Sequence, residues 1–191
     1  MKVIKGEAGY IQARKKQLIV KAVLEFGIVL ALLALGIWQT HTRLNFLTVV
    51  AVLGCLPAAK ALVEVITIIP YHSIEPETAK AIKETVKDLT VAFDFVFTSK
   101  EKFMPVDSML LLDNTICGYS SSKKIDPVYT AKHLRQLLEQ NQYTKVSVKI
   151  FTDYSAFLAR AEGMQRMAEE NRPATQKKEE GMRHLLCQIS L

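Results

Sequence analysis

Two long apolar runs dominate the first third of the chain and restrict what it can fold into. Residues 18–38 read LIVKAVLEFGIVLALLALGIW and residues 44–69 read LNFLTVVAVLGCLPAAKALVEVITII, with only QTHTR between them. A helix needs about 20 apolar residues to cross the hydrocarbon core of a bilayer, and each run supplies that length. A five-residue polar link leaves no room for anything except a tight turn, so the pattern predicts a transmembrane helical hairpin over residues 18–69. A cleavable signal peptide is the rival reading of the first run, but no clean small-x-small cleavage site precedes the polar turn. Trp38 marks the far interface, and Gly54 permits close approach of the first helix. Pro57 removes a backbone donor and is expected to kink the second helix.

Charge is distributed to match. Residues 1–70 hold eight Lys/Arg against three Glu, whereas residues 71–191 hold seventeen against sixteen acids. The basicity therefore belongs to the hairpin and to the arm over residues 1–17, where Lys2, Lys5, Arg14, Lys15 and Lys16 oppose only Glu7. Cytoplasmic flanks of membrane helices are enriched in Lys and Arg, which predicts an inner-membrane, multi-pass protein with both termini cytoplasmic. A nearly neutral remainder gives no concentrated basic surface, so nucleic acid is not an expected partner. The expected partners are the lipid bilayer and a second membrane protein or a second copy of the chain.

Four charges interrupt the apolar runs: Lys21, Glu25, Lys60 and Glu64. Each pair is spaced i, i+4, one helical turn apart, and folding the hairpin about His41 brings both pairs to similar depth. Charges in lipid need partners or water, so the cluster reads as a clamp between the helices, and otherwise as an ion path or a contact with another subunit.

Residues 70–191 read as a cytosolic α/β domain with a mixed sheet in the order α-β-β-β-α-β-α, with residues 185–191 either a closing strand or the end of a helix. Pro76 begins a helix whose apolar residues Ala79, Ile82, Val86 and Leu89 recur at helical spacing. Val91, Phe93, Phe95 and Phe97 alternate along a first strand. Residues 105–112 and 115–120 flank the Asp113-Asn114 turn signal, and Gly118 suggests a bulge or a close backbone approach. Asp126 and Pro127 form the cap and first position of a helix that stops at Asn141. Residues 146–150 form a fourth strand, Asp153 opens the next helix, and Asn171-Arg172-Pro173 ends it. Residues 174–182, polar throughout, read as mobile or as a short exposed helix.

The chemistry-bearing signatures are absent. There is no G-x-x-x-x-G-K-[ST], G-x-G-x-x-G, G-x-S-x-G or H-E-x-x-H in the sequence. Cys55, Cys117 and Cys187 are odd in number and far apart, which excludes a disulfide framework. His41, His72, His133 and His184 form no ligand motif, and His184-x-x-Cys187 supplies only two donors. No metal or cofactor is expected. The loop Ser120-Ser121-Ser122-Lys123-Lys124 lacks the glycines that let a backbone cradle phosphate. The acids and hydroxyls left over are Asp94, Asp107, Asp113, Asp126, Tyr119 and Tyr129.

The order α-β-β-β-α-β is similar to the core of PD-(D/E)XK nucleases and their NERD-type relatives, with Pro105-Val106-Asp107 resembling the metal-binding Asp element. That resemblance implies Asp107 as the weak catalytic candidate. Its E-x-K element is missing, because residues 118–122 read Gly-Tyr-Ser-Ser-Ser. The whole chain also resembles uncharacterised two-helix membrane proteins of Gram-positive bacteria, some labelled O-linked GlcNAc transferase-like. The shared features are MKVIKGEAGYI, LTVVAVLGCLPAAKALV, PVDSMLLLDNTICGY, KVSVKIF and the ending ISL. No helical repeats accompany that label. The expectation is a membrane-anchored binding or scaffolding module, and the residues leave open whether it is an enzyme. The alternatives are a divergent nuclease or transferase, or an accessory subunit of a membrane complex.

Overall fold

In the computed structural model, residues 3–40, 46–99, 102–171 and 176–191 are described. The chain divides into two compact units: Met1–Tyr10 with Ser73–Leu191, and Ile11–His72.

The second unit is the helical hairpin, α1 (Tyr10–Thr40) and α2 (Phe46–Ile68). Both helices are long and apolar enough to cross a membrane. At 1.5 Å per residue they measure about 46 Å and about 35 Å. Among the described residues a narrow seam of each helix is buried: Ile11, Leu18, Ala22, Val29 and Gly36 on α1, and Ala51, Ala58, Ala61, Val65 and Ile68 on α2. The spacing of seven, three and four is that of two helices packing along one stripe. Gly54 sits in this stripe, and a Cβ there would come within 3.2 Å of Val29 Cγ2, so close approach does depend on glycine. Pro57 lies inside α2, which continues past it to Ile68. The turn residues His41–Arg43 lie outside the described residues, as do Arg172 and Pro173.

The α/β unit contains α3 (Pro76–Thr85), β1 (Thr90–Thr98), β2 (Phe103–Leu112), β3 (Thr115–Tyr119), α4 (Pro127–Gln140), β4 (Ser147–Phe151), α5 (Tyr154–Asn171) and α6 (Gln176–Ile189). The sheet is mixed, in the order β1-β2-β3-β4; the first three strands are antiparallel and β4 runs parallel to β3. The parallel step requires a crossover, and α4 provides it. Two cores result. One packs Phe95, Phe97, Met109, Leu111 and Val148 against α4 and α6 through Leu134, Leu138, Met182 and Leu186. The other packs Phe93, Leu110 and Cys117 against α3 and α5 through Ile82, Phe157, Ala161 and Met164. The sheet is therefore the middle of three layers.

Local chemistry explains most boundaries. The Asp126 carboxylate accepts the N–H groups of Val128 and Tyr129 at 3.1 and 3.0 Å and so caps α4, with Pro127 following. Asp113, at φ 47°, makes the β2–β3 turn. Gly118 leaves room for its neighbours, since a Cβ there would lie 2.6 Å from Ile150 Cδ1 and 3.2 Å from Val106 Cγ1.

Three expectations require correction. No closing strand forms over residues 185–191, and the stretch from residue 176 is not a short exposed helix; it runs as one helix, α6, from Gln176 to Ile189. Its buried face is Glu179, Met182 and Leu186, so the first inward position is a carboxylate and hides the apolar period. Past the helix, Ser190 bridges Phe97 and the Leu191 N–H donates to the Val96 carbonyl at 2.9 Å. The alternation of Phe93, Phe95 and Phe97 also does not hold: Phe93 enters one core, while Phe95 and Phe97 enter the other. The phase changes at Asp94, where φ is 59°. On β2 it changes at the same level, between Val106 and Met109, which both face the first core.

Candidate functional site

The carboxyl ends of the parallel strands β3 and β4 lie side by side where the chain leaves for α4 and α5. In open parallel α/β sheets, ligands settle beyond the carboxyl ends of the strands, and β3 and β4 are the one parallel pair among the described residues. Here those ends are Tyr119 and Phe151, paired in register. Asp107, half-buried on β2, accepts the Ser121 N–H at 2.6 Å. The Ser120 N–H donates to the Phe151 carbonyl at 2.9 Å, and its hydroxyl donates to the Pro105 carbonyl at 2.7 Å. These three bonds fix the start of the serine loop against the strand ends. The Tyr119 ring meets Tyr154 edge-on at 5.3 Å and Phe157 at 5.5 Å.

Electrostatics at this end are simple. Burial raises the Tyr119 phenol above its ordinary range, and the charge of Asp107 and the neighbouring Tyr154 and Asp153 push the same way. The phenol stays protonated at neutral pH and can donate a hydrogen bond, but it cannot serve as a base. Asp153 is held below the usual carboxylate range, chiefly by the Ser155 hydroxyl and amide, because it caps α5. Both carboxylates are acceptors already in use. Among the described residues no three His, Cys, Asp or Glu side chains gather to hold a metal ion. The residues around Asp107 thus do not fit the metal centre that the nuclease resemblance implies.

The other acids and hydroxyls do not converge here. Asp94 is buried, and its two oxygens accept the Gly9 N–H at 2.8 Å and the Ile74 N–H at 2.9 Å. Gly9 and Ile74 flank the hairpin in sequence, so the chain leaves and re-enters the α/β unit at a single carboxylate. Asp113 pairs with Lys178 at 3.4 Å. Tyr129 donates its hydroxyl to Ser99 Oγ at 3.1 Å. Glu179, 1% exposed, accepts the Thr90 hydroxyl at 2.7 Å and the Asp113 N–H at 2.9 Å, joining α6 to β1 and to the β2–β3 turn. Sequence reasoning missed the roles of Asp94 and Glu179. Asp94 had one usable signal, an acid in the middle of an otherwise apolar strand.

In the hairpin, Lys21 and Glu25 close to 3.8 Å as the i, i+4 spacing predicts. Among the described residues, no ion pair joins them to Lys60 or Glu64. The Val29–Gly54 contact sets a register that places Glu25 level with Ala58, in the seam. One oxygen of Glu25 is buried there without a hydrogen-bond partner.

Burial pushes the Cys117 thiol up to about 12 and raises Cys187 less far, so neither is an activated nucleophile. No known protein family, curated protein or solved structure compared with the chain matches it.

Proposed function

We propose that the chain is a membrane-anchored binding or scaffolding module, with the hairpin in the bilayer and the α/β unit on the cytoplasmic side. The observation that carries this reading is the outward face of the hairpin. Val20, Val23, Leu30, Trp38, Phe46 and Leu56 are 64–79% exposed. Soluble monomers rarely leave contiguous apolar surface on that scale, and lipid is the solvent that such a face suits. Asp94 supports the same-side assignment, because it holds both flanks of the hairpin at one point. The basic arm favours the cytoplasmic side. The binding role is favoured because Asp94, Asp107, Asp113, Asp126, Asp153 and Glu179 all hold backbone or neighbouring side chains in place. The test is a photo-crosslinker scan over exposed positions of the α/β unit in intact membranes. Reproducible adducts confined to one face are expected; a scan without adducts refutes the reading.

A second reading, an accessory subunit whose partner docks in the bilayer, is favoured by the buried oxygen of Glu25. A partner that co-purifies in mild detergent and is lost with Glu25→Gln supports it; retention in the variant counts against it.

A further inference from the structure

The two edges of the sheet are treated differently. At β1 the outer edge is covered: the Phe93 N–H donates to the Gly6 carbonyl, the Leu191 N–H donates to the Val96 carbonyl, and Ser190 bridges Phe97. At β4 it is not. The Ser147 N–H bonds to Asn114 and the Phe151 carbonyl to Ser120, so residues 147, 149 and 151 turn their backbone groups toward β3. By alternation, Val148 and Ile150 turn their N–H and C=O groups outward. Among the described residues nothing bonds to those four groups. An unpaired edge of this kind is a template for another strand.

The surroundings select the strand. A groove of about 530 Å³ runs along this edge, with a floor of Pro127, Val128, Ala131, Val148 and Ile150. Val128 is 79% exposed there. Lys132 and Arg135 line the groove on the α4 side. Lys149, on β4 itself, also lines the groove, with its ammonium 4.8 Å from the centre of the Phe151 ring. Among the described residues none of the three cations is in an ion pair. A second copy is a poor occupant, since antiparallel pairing of two β4 strands would set Lys149 against Lys149 and double the positive charge.

Resting on the binding-module reading, we infer that the β4 edge is the docking surface, and that it takes an extended acidic segment of another protein as a fifth strand. The outward N–H and C=O groups of Val148 and Ile150 would supply main-chain bonds, and Lys132, Arg135 and Lys149 would select for carboxylates.

The test uses the full chain in zwitterionic nanodiscs with three synthetic probes of about eight residues, long enough to pair along a short strand. The probes alternate Val with Glu, alternate Val with Lys, or repeat the Val/Glu sequence with every second amide N-methylated. The Val/Glu peptide is expected to bind, to slow exchange of the Val148 and Ile150 amides, and to weaken with salt. The Val/Lys and methylated peptides are expected to bind at least about tenfold more weakly. Arg135→Glu combined with Lys149→Glu should reverse the preference between Glu and Lys probes; both side chains are exposed, and exchange in β3 reports whether the variant remains folded. Equal binding of all three probes, or protection away from β4, overturns the inference. Protection of β4 that rises with protein concentration and needs no peptide assigns the edge to a second copy and also overturns it. If the probes fail while crosslinks form on another face, the binding-module reading survives and the edge assignment falls.

Discussion

Replacing Asp94 tests how the α/β unit holds its segments at Gly9 and Ile74 together. Its carboxylate accepts two backbone N–H groups, from Gly9 at 2.8 Å and Ile74 at 2.9 Å, and the residue is only 2% exposed. Hydrogen bonds to a charged acceptor contribute about 1.5–3 kcal/mol each. Asp94 also sits at φ 59°, where Asp is tolerated and Ala costs about 1 kcal/mol more. Asp94→Ala is therefore expected to destabilise the α/β unit by about 4–7 kcal/mol. Asp94→Gly removes the same bonds but not the backbone tolerance, so it should be milder by about 1 kcal/mol. Asp94→Asn keeps one acceptor and should cost least. Amide exchange of the full chain in detergent measures this residue by residue. The Gly9 and Ile74 amides should exchange about a hundredfold faster in Asp94→Ala, since each 1.36 kcal/mol is a factor of ten. The Val128 and Tyr129 amides, bonded to Asp126, provide the reference. Unchanged protection at Gly9 and Ile74 refutes the closure argument.

Three further outcomes follow from the packing. Glu179→Ala leaves the Asp113 N–H and the Thr90 hydroxyl without their acceptor and should cost about 2–4 kcal/mol in denaturant unfolding, with Glu179→Gln milder. Gly118→Ala forces a methyl toward Ile150 and Val106 and should cost about 1–3 kcal/mol, partly relieved by Ile150→Val. The Cys117 thiol, with a folded pKa of about 12 against 9.0, favours the folded state fully below pH 9; that contribution, about 4 kcal/mol in all, is lost as pH rises from 9 toward 12. Cys117→Ala should flatten this part of the stability–pH curve, and iodoacetamide at neutral pH should modify Cys187 before Cys117.

The legible parts of this chain were those written locally. The apolar runs, the Asp126–Pro127 start of α4, the Asp113 turn and the tight spacing at Gly118 follow from one residue or one short period. What was not legible depends on residues far apart in sequence. The α6 stripe is masked because its first inward residue is Glu179, whose partners Thr90 and Asp113 lie 89 and 66 residues away. The strand phase change at Asp94 serves contacts with Gly9 and Ile74, 85 and 20 residues distant. For the candidate site, Asp107 was identifiable as a residue but not as the acceptor that holds the serine loop. The outward groups of Val148 and Ile150 become visible only once β3 is known to occupy the other side of β4.

The proposed function places the hairpin in a bilayer and the α/β unit inside the cell. A single cysteine at an exposed position of α3, Glu84→Cys in a chain with Cys55, Cys117 and Cys187 replaced by Ala, reports on this directly. Membranes washed with alkaline carbonate should retain the protein, and a membrane-impermeant maleimide should label residue 84 only after the cells are permeabilised. Labelling in intact cells, or recovery of the protein in the carbonate supernatant, contradicts the account.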